Sequence, residues 1–212
     1  MDRLDDVTGV VLAGGLGTRL GRDKTMLTLG DRPVIERVVT ALSEVCAKVV
    51  VVSRTKTSEF LGLPVVTDIY PGCGPLGGIH AALSYAETPL VFVSACDMPF
   101  FAAGLVRLAR SVWQGEDAVI PSVDGRIEPL QGLYHRRLAT KAQEALAAGQ
   151  LGVGRFLSQL DIRWLSPDEV ATVGDPALLF FNINTVADYR RAEEIAREMA
   201  ASAGTEGTPG RL

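Results

Sequence analysis

Cysteine and histidine are scarce in this chain of 212 residues, with three of the first and two of the second. Cys46, Cys73 and Cys96 are odd in number, widely spaced and without a C-x-x-C pair, so a disulfide framework is excluded, and two histidines cannot complete a structural zinc site with them. Positive charge is not in excess either. At a net charge of −4 the chain lacks the broad basic face that displaces counterions from a nucleic-acid backbone, so any anion site must be local. No apolar run reaches membrane-spanning length, and the start MDRLDDVTG is acidic and enters a strand directly, unlike a secretory signal. Neither a nucleic acid nor a membrane is expected as a partner, and the cytoplasm is the expected location.

Apolar residues, by contrast, make up 47% of the chain, enough for the full core of one domain. Strand-like runs at VTGVVLA, KVVVVS from Lys48, LPVVTD from Leu63, PLVFVSA from Pro89 and DAVIPS from Asp117 alternate with helical spacing over about 33–46, 76–87, 101–112 and 136–148. This is an α/β chain with a largely parallel sheet, each helix returning the chain to the same sheet edge. The alternation then weakens, with strands expected at Leu130 to His135, Ile162 to Leu165 and Leu178 to Ile183. A mixed sheet, a last helix over about 186–200 and a mobile tail over 201–212 complete the expectation.

The stretch LAGGLGTRLGRDK, from Leu12 to Lys24, follows the first strand. Gly14, Gly15 and Gly17 remove the Cβ atoms that would keep backbone N–H groups from an anion, and Arg19, Arg22 and Lys24 supply counter-charge. It is not a dinucleotide fingerprint, because Leu20 stands where the third glycine belongs, nor a Walker A loop, because Asp23 precedes Lys24. A phosphate cradle fits better than a plain glycine-rich turn with solvated cations, and which of Arg19 and Arg22 meets phosphate is left open.

Ligands of an open parallel sheet bind beyond the carboxyl ends of its strands, where the chain has Ser53 and Arg54, Thr67 and Asp68, and Ser94, Cys96 and Asp97. Asp97, in SACDMP, ends a strongly apolar strand and is chemically sufficient as a Mg²⁺ ligand, since that ion takes one or two carboxylates plus phosphate oxygens and water; capping of the next turn is the alternative. Asp68 either reaches a nucleotide or bonds its own backbone in TDIYPG. GCGPLGGIHAAL brings four glycines and a proline into a helix start that can face a ligand, and His80, inside that helix, is read as a packing residue. DGRIEPLQGLYH contributes Arg126, Glu128 and Gln131. In FFNINT, Asn182 and Asn184 fall on one face of the expected strand, for polar recognition or for a turn network.

Together these segments resemble the molybdenum cofactor guanylyltransferases, the MobA family, within the nucleotidyltransferases of Rossmann-like fold. LAGG-x-x-x-R-x-G-x-DK, GPLGGIHAAL, CD-x-P at Cys96 to Pro99, EPLQGLY and FFNINT stand in family order over nearly the whole chain. The resemblance implies a single three-layer α/β/α domain over 1–200, with a mostly parallel mixed sheet, a nucleotide-binding half at about 7–100 and an acceptor-binding half at about 101–200. It implies transfer of GMP from Mg·GTP to the terminal phosphate of molybdopterin, with release of pyrophosphate. Transient contacts with other proteins of molybdenum cofactor synthesis are the implied partners.

By the same resemblance, Leu12, Ala13, Gly14 and Gly15 would contact guanine and ribose, Lys24 the phosphates, Asp68 the nucleotide and Asp97 the Mg²⁺. Arg19, Gly77 and Gly78 would lie between the nucleotide and pterin sides, and Asn182 and Asn184 near the acceptor. Lys24, Asp97 and Arg19 would carry the catalysis. Two departures are Leu20, where Met is common, and the end of strand two, where Ser53 or Arg54 replaces an asparagine. A cytidylyltransferase or a sugar-phosphate nucleotidyltransferase would share the loop and the acid, but relatives using CTP tend to read LAAG where this chain reads Leu12-Ala13-Gly14-Gly15. A nucleotide-binding module without transfer activity would not need Lys24 and Asp97.

Overall fold

A computed structural model describes residues 2–13, 27–54, 59–70 and 72–205. The first strand, β1 (Leu4–Leu12), is flanked on one side by β4 (Cys46–Ser53) and on the other by β7 (Leu90–Ala95), both parallel to it. Beyond β4 lie the parallel β6 (Leu63–Thr67) and the short antiparallel β5 (Glu59–Phe60). Beyond β7 comes β10 (Gln131–His135), antiparallel to both of its neighbours, then β8 (Ala118–Val123) and β11 (Ile162–Leu165). A two-residue strand, β9 (Arg126–Ile127), pairs with β8 through the turn at Asp124 and Gly125, whose φ of 50° and 74° suit a tight hairpin. The pair β2 (Thr28–Leu29) and β3 (Arg32–Pro33) forms a separate ribbon.

Both faces of the sheet are covered, as the unbroken Val/Leu runs of its central strands require. On one face Val7 and Val11 pack with Ile35, Val38 and Leu42 of α1 (Val34–Val45) and with Leu105 and Val106 of α3 (Ala103–Val112). On the other, Val10 and Leu12 pack with Leu76, Ile79 and Leu83 of α2 (Gly74–Tyr85), beside α4 (Leu138–Ala147) and α5 (Val153–Leu157). The alternation of β1 residues between the two clusters is the period of two of a strand buried on both faces.

The helices do not return the chain to one sheet edge. From β1 the chain moves outward through β4 and β6, and α2 then carries it back across to β7 on the other side of β1. This reversal opens a crevice at the carboxyl end of β1. The expected strand from Leu178 to Ile183 is also absent. Asp175 caps a short helix, α7 (Pro176–Leu179), by accepting from the Ala177 N–H at 2.9 Å, and Pro176 occupies its first turn, so a start signal overrides the β-propensity of LLFF. Another short helix, α6 (Pro167–Ala171), begins with a Ser166–Glu169 capping box. The last helix, α8 (Val186–Thr205), closes the described chain.

Candidate active site

Three strand ends meet where the winding reverses. The Ala13 N–H donates to the Val52 carbonyl at 2.8 Å, the Cys96 N–H to the Leu12 carbonyl at 3.3 Å and the Asp68 N–H to the Ser53 carbonyl at 3.1 Å. Leu12, Ala13, Ser53, Asp68 and Asp97 are thus gathered at one end of the sheet. Gly14, Gly15, Arg19, Arg22 and Lys24 lie outside the described residues, but both stems of their loop are anchored. Ala13 is tied to β4, and on the far side Leu27 and Leu29 are buried with Ile183 and Ala192. The Thr28 carbonyl also accepts from the Tyr189 hydroxyl at 2.6 Å.

Asp97 sits in the turn directly after β7 and is 9% exposed. Its carbonyl accepts from the Ile183 N–H at 3.0 Å, which joins this turn to the segment carrying Asn182 and Asn184. Behind the turn, the wholly buried Gln131 donates through Nε2 to Ser94 Oγ at 3.0 Å and to Met98 Sδ at 2.7 Å, bracketing Asp97 in sequence. Among the described residues no group of three or more His, Cys, Asp or Glu side chains could cage a metal. A single buried-edge carboxylate nevertheless fits a cation that arrives with a triphosphate and keeps phosphate and water ligands.

Asp68 is buried, and its Oδ1 accepts from the Tyr70 N–H at 2.9 Å, the Asx arrangement of a turn. Gly77 and Gly78 lie at the seam between α2 and the sheet. A Cβ at Gly77 would come within 3.0 Å of Asp68 Oδ1 and of the Tyr70 carbonyl, and one at Gly78 within 3.3 Å of Leu12 Cδ1. They allow the helix to approach the crevice. His80 bonds Ser84 Oγ at 3.2 Å and meets the Tyr70 ring edge-on; burial holds its imidazole below the usual histidine range, although Asp68 pulls the other way. That neutral, packed histidine agrees with its sequence reading.

A separate cleft of about 800 Å³ lies between the β8–β9 hairpin and the connection from α7 to α8. Arg126, Glu128, Phe180, Phe181, Asn182 and Asn184 line it, with Asp124, Asp175 and Asp188. Asn182 and Asn184 stand on no strand, yet Ile183 between them is fully buried while they are not, so the alternation read from the sequence survives as a docked irregular segment. Asn184 and Thr185 donate their backbone N–H groups to Asp188 Oδ2 at 3.0 and 2.7 Å. Sequence reasoning noted Glu128 and Gln131 without giving either a role. A glutamine in an otherwise apolar strand was the available signal for the second.

Residues 9–163 match the model of the MobA-like NTP transferase domain. The chain belongs to this family. Within the MobA-like family, it is 35% identical over 190 residues to a protein of Pelotomaculum thermopropionicum named "Probable molybdenum cofactor guanylyltransferase", covering 89% of this chain and 93% of that one. A protein of the same name from Carboxydothermus hydrogenoformans is 31% identical, with 91% and 98% covered. Among solved structures, molybdopterin-guanine dinucleotide biosynthesis protein A from Archaeoglobus fulgidus superposes with a TM-score of 0.81 at 31% identity, over 91% of this chain and 100% of that one. The MobA-like match covers the three strand ends and the Asp97 turn, and the longer alignments reach beyond it.

Proposed function

We propose that this protein transfers GMP from GTP to the terminal phosphate of molybdopterin, forming the guanine dinucleotide and releasing pyrophosphate. The observation that supports this reading is the 3.0 Å hydrogen bond from the Ile183 N–H to the Asp97 carbonyl, which ties the turn carrying Asp97 at the strand ends to the segment whose Asn182 and Asn184 line a separate cleft. The relatives' names supply the identity of the two substrates. An oxygen of the acceptor phosphate forms a bond to the α-phosphorus of GTP, and the bond from that phosphorus to the β-bridging oxygen breaks. The acceptor is already ionised, so no protein nucleophile is needed.

In this reading residues 7–100 hold the nucleotide, with Leu12, Ala13, Gly14 and Gly15 near guanine and ribose, and residues 101–200 hold the acceptor, with Asn182 and Asn184 beside it. Arg19 and Lys24 offset the charge of two phosphates brought together; loss of one such donor typically costs about 3–4 kcal/mol in the barrier. Ser53 and Asp68 border the nucleotide, and Gly77 and Gly78 let α2 close against it. A divalent cation is general among nucleotidyltransferases, and Mg²⁺ held by Asp97 is the form proposed here. When bound it supplies charge neutralisation on the phosphate oxygens. Among the described residues no helix is long and apolar enough to cross a membrane. Action in the cytoplasm, with passing contacts to other proteins of molybdenum cofactor synthesis, belongs to the same proposal.

Incubation with GTP, Mg²⁺ and molybdopterin should yield pyrophosphate and a product of the dinucleotide mass, with CTP a far poorer donor. Equal turnover of GTP and CTP would overturn the guanylyl assignment.

A further inference from the structure

The acids around the cleft are not equivalent. Asp175 Oδ1 accepts from the Ala177 N–H and Asp188 Oδ2 from the Asn184 and Thr185 N–H groups, so both are committed to helix starts. Asp124 is the exposed turn residue of the hairpin. Glu128 differs from all three. It is half-buried, and no described residue donates a hydrogen bond to its carboxylate; Arg126 is the cation that acts on it. Its backbone is nevertheless fixed. The Glu128 N–H donates to the Pro121 carbonyl at 3.0 Å, its carbonyl accepts from the Gln131 N–H at 3.0 Å, and the following Pro129 carbonyl accepts from the hydroxyl of the fully buried Tyr134 at 2.6 Å.

A partly desolvated carboxylate without a donor is unfavourable, and the fixed turn holds its backbone at the rim of the cleft. Asn182, lining the same cleft, leaves its buried Oδ1 without a partner among the described residues. The cleft is therefore short of donors, and four acids against one arginine make it a poor place for phosphate. What fits is a flat, largely apolar ring with a row of N–H donors on one edge, lying along Phe180 and Phe181. Its volume is ample for a bicyclic heterocycle.

Resting on the guanylyl-transfer reading, we propose that Glu128 is the specificity residue for the acceptor and accepts hydrogen bonds from the ring N–H and amino group on the amino-pyrimidinone edge of its pterin. The acceptor's phosphate then points out of the acidic cleft toward the Asp97 turn, to which the Asn182–Asn184 segment is bonded.

The test titrates the full-length protein, by fluorescence, with two phosphate-free probes: pterin, and lumazine, which keeps the bicyclic ring but has an oxo group where pterin has its amino donor. The wild type should bind pterin about 10-fold or more tightly than lumazine, because a missing donor leaves the carboxylate unpaired. Glu128→Gln should erase that preference. In the transfer assay the same variant should raise the acceptor KM about 10-fold and leave the GTP KM unmoved. Equal affinity of the wild type for both probes, or an unchanged acceptor KM in Glu128→Gln, would overturn the assignment while guanylyl transfer stands. Failure of the wild type to make the dinucleotide would overturn the parent reading instead, and probe titrations without a pterin preference would remove Glu128 as well.

Discussion

At the strand-end crevice, Ala13, Ser53, Asp68 and Asp97 stand at or just past the ends of neighbouring parallel strands, and backbone hydrogen bonds between β1, β4, β6 and β7 set their spacing. At the separate cleft, Glu128, Asn182 and Asn184 come from a hairpin exit and an irregular segment, held by isolated bonds such as that from Ile183 to Asp97. The first region positions its groups with the sheet itself. The second positions them with local turns. The difference predicts that substitutions at the crevice strike chemistry or fold, whereas those at the cleft strike recognition.

The largest effect should come from Asp97→Asn. It keeps the size of the side chain and removes the charge a cation needs, so turnover measured as pyrophosphate release should fall about 100- to 1,000-fold. GTP affinity measured by calorimetry should largely persist. An unchanged rate would show that Asp97 is not the metal residue and would remove the feature that sets the two regions apart.

Next come the paired glycines. An alanine at Gly77 would press on the Tyr70 carbonyl and the fixed Asp68 carboxylate at 3.0 Å, so Gly77→Ala should destabilise by about 1–3 kcal/mol in urea unfolding. At Gly78 the contact is the movable end of Leu12 at 3.3 Å, and alanine is the better helix former by about 0.5–1 kcal/mol, so Gly78→Ala should be near neutral. Equal effects would mean that α2 is not seated against Asp68 as tightly as the contacts imply.

Gln131 links the regions, since it follows the Glu128 turn and its amide bonds both flanks of Asp97. Gln131→Met fills the space without the two donors. It should cost about 1 kcal/mol in stability and raise several-fold the Mg²⁺ concentration needed for half-maximal rate. Loss of stability with no change in the Mg²⁺ requirement would confine Gln131 to the core.

The contrast also explains what the sequence made legible. Strands β1, β4, β6, β7 and β8 and helices α1 to α4 were readable within a few residues, because a parallel sheet buried on both faces demands unbroken apolar runs and amphipathic crossovers. Once those are placed, strand-end residues such as Asp68 and Asp97 follow from topology. The FFNINT segment has the composition of a strand and forms none, because the competing signal, Asp175-Pro176, lies upstream and commits only four residues to a helix. Glu128 could not be singled out for a related reason. Its meaning rests on which acids find donors, and Asp175 and Asp188 find theirs through backbone geometry that spacing does not reveal.

The smallest effect sets recognition against the fold at Glu128 itself. Burial holds this carboxyl above the usual carboxylate range, with Arg126 pulling it down. The folded chain therefore binds the proton more readily than the unfolded chain. Glu128 favours folding on the acid side of that window and weakens the fold as pH rises through it. Removing the charge with Glu128→Gln should raise stability at pH 7, by less than about 1 kcal/mol because the group is half exposed and screened. The gain should fade as the pH falls through that raised range toward the ordinary glutamate value. Over the same window pterin affinity should decline in the wild type and stay level in the variant. Asp124, Asp175, Asp188 and Arg126 also face the cleft; Asp175 and Asp188 accept from backbone N–H groups, and Asp124 is exposed. A variant less stable than the wild type at pH 7 would assign the carboxylate to an internal bond and place Glu128 with the residues of the crevice, among groups the fold itself employs.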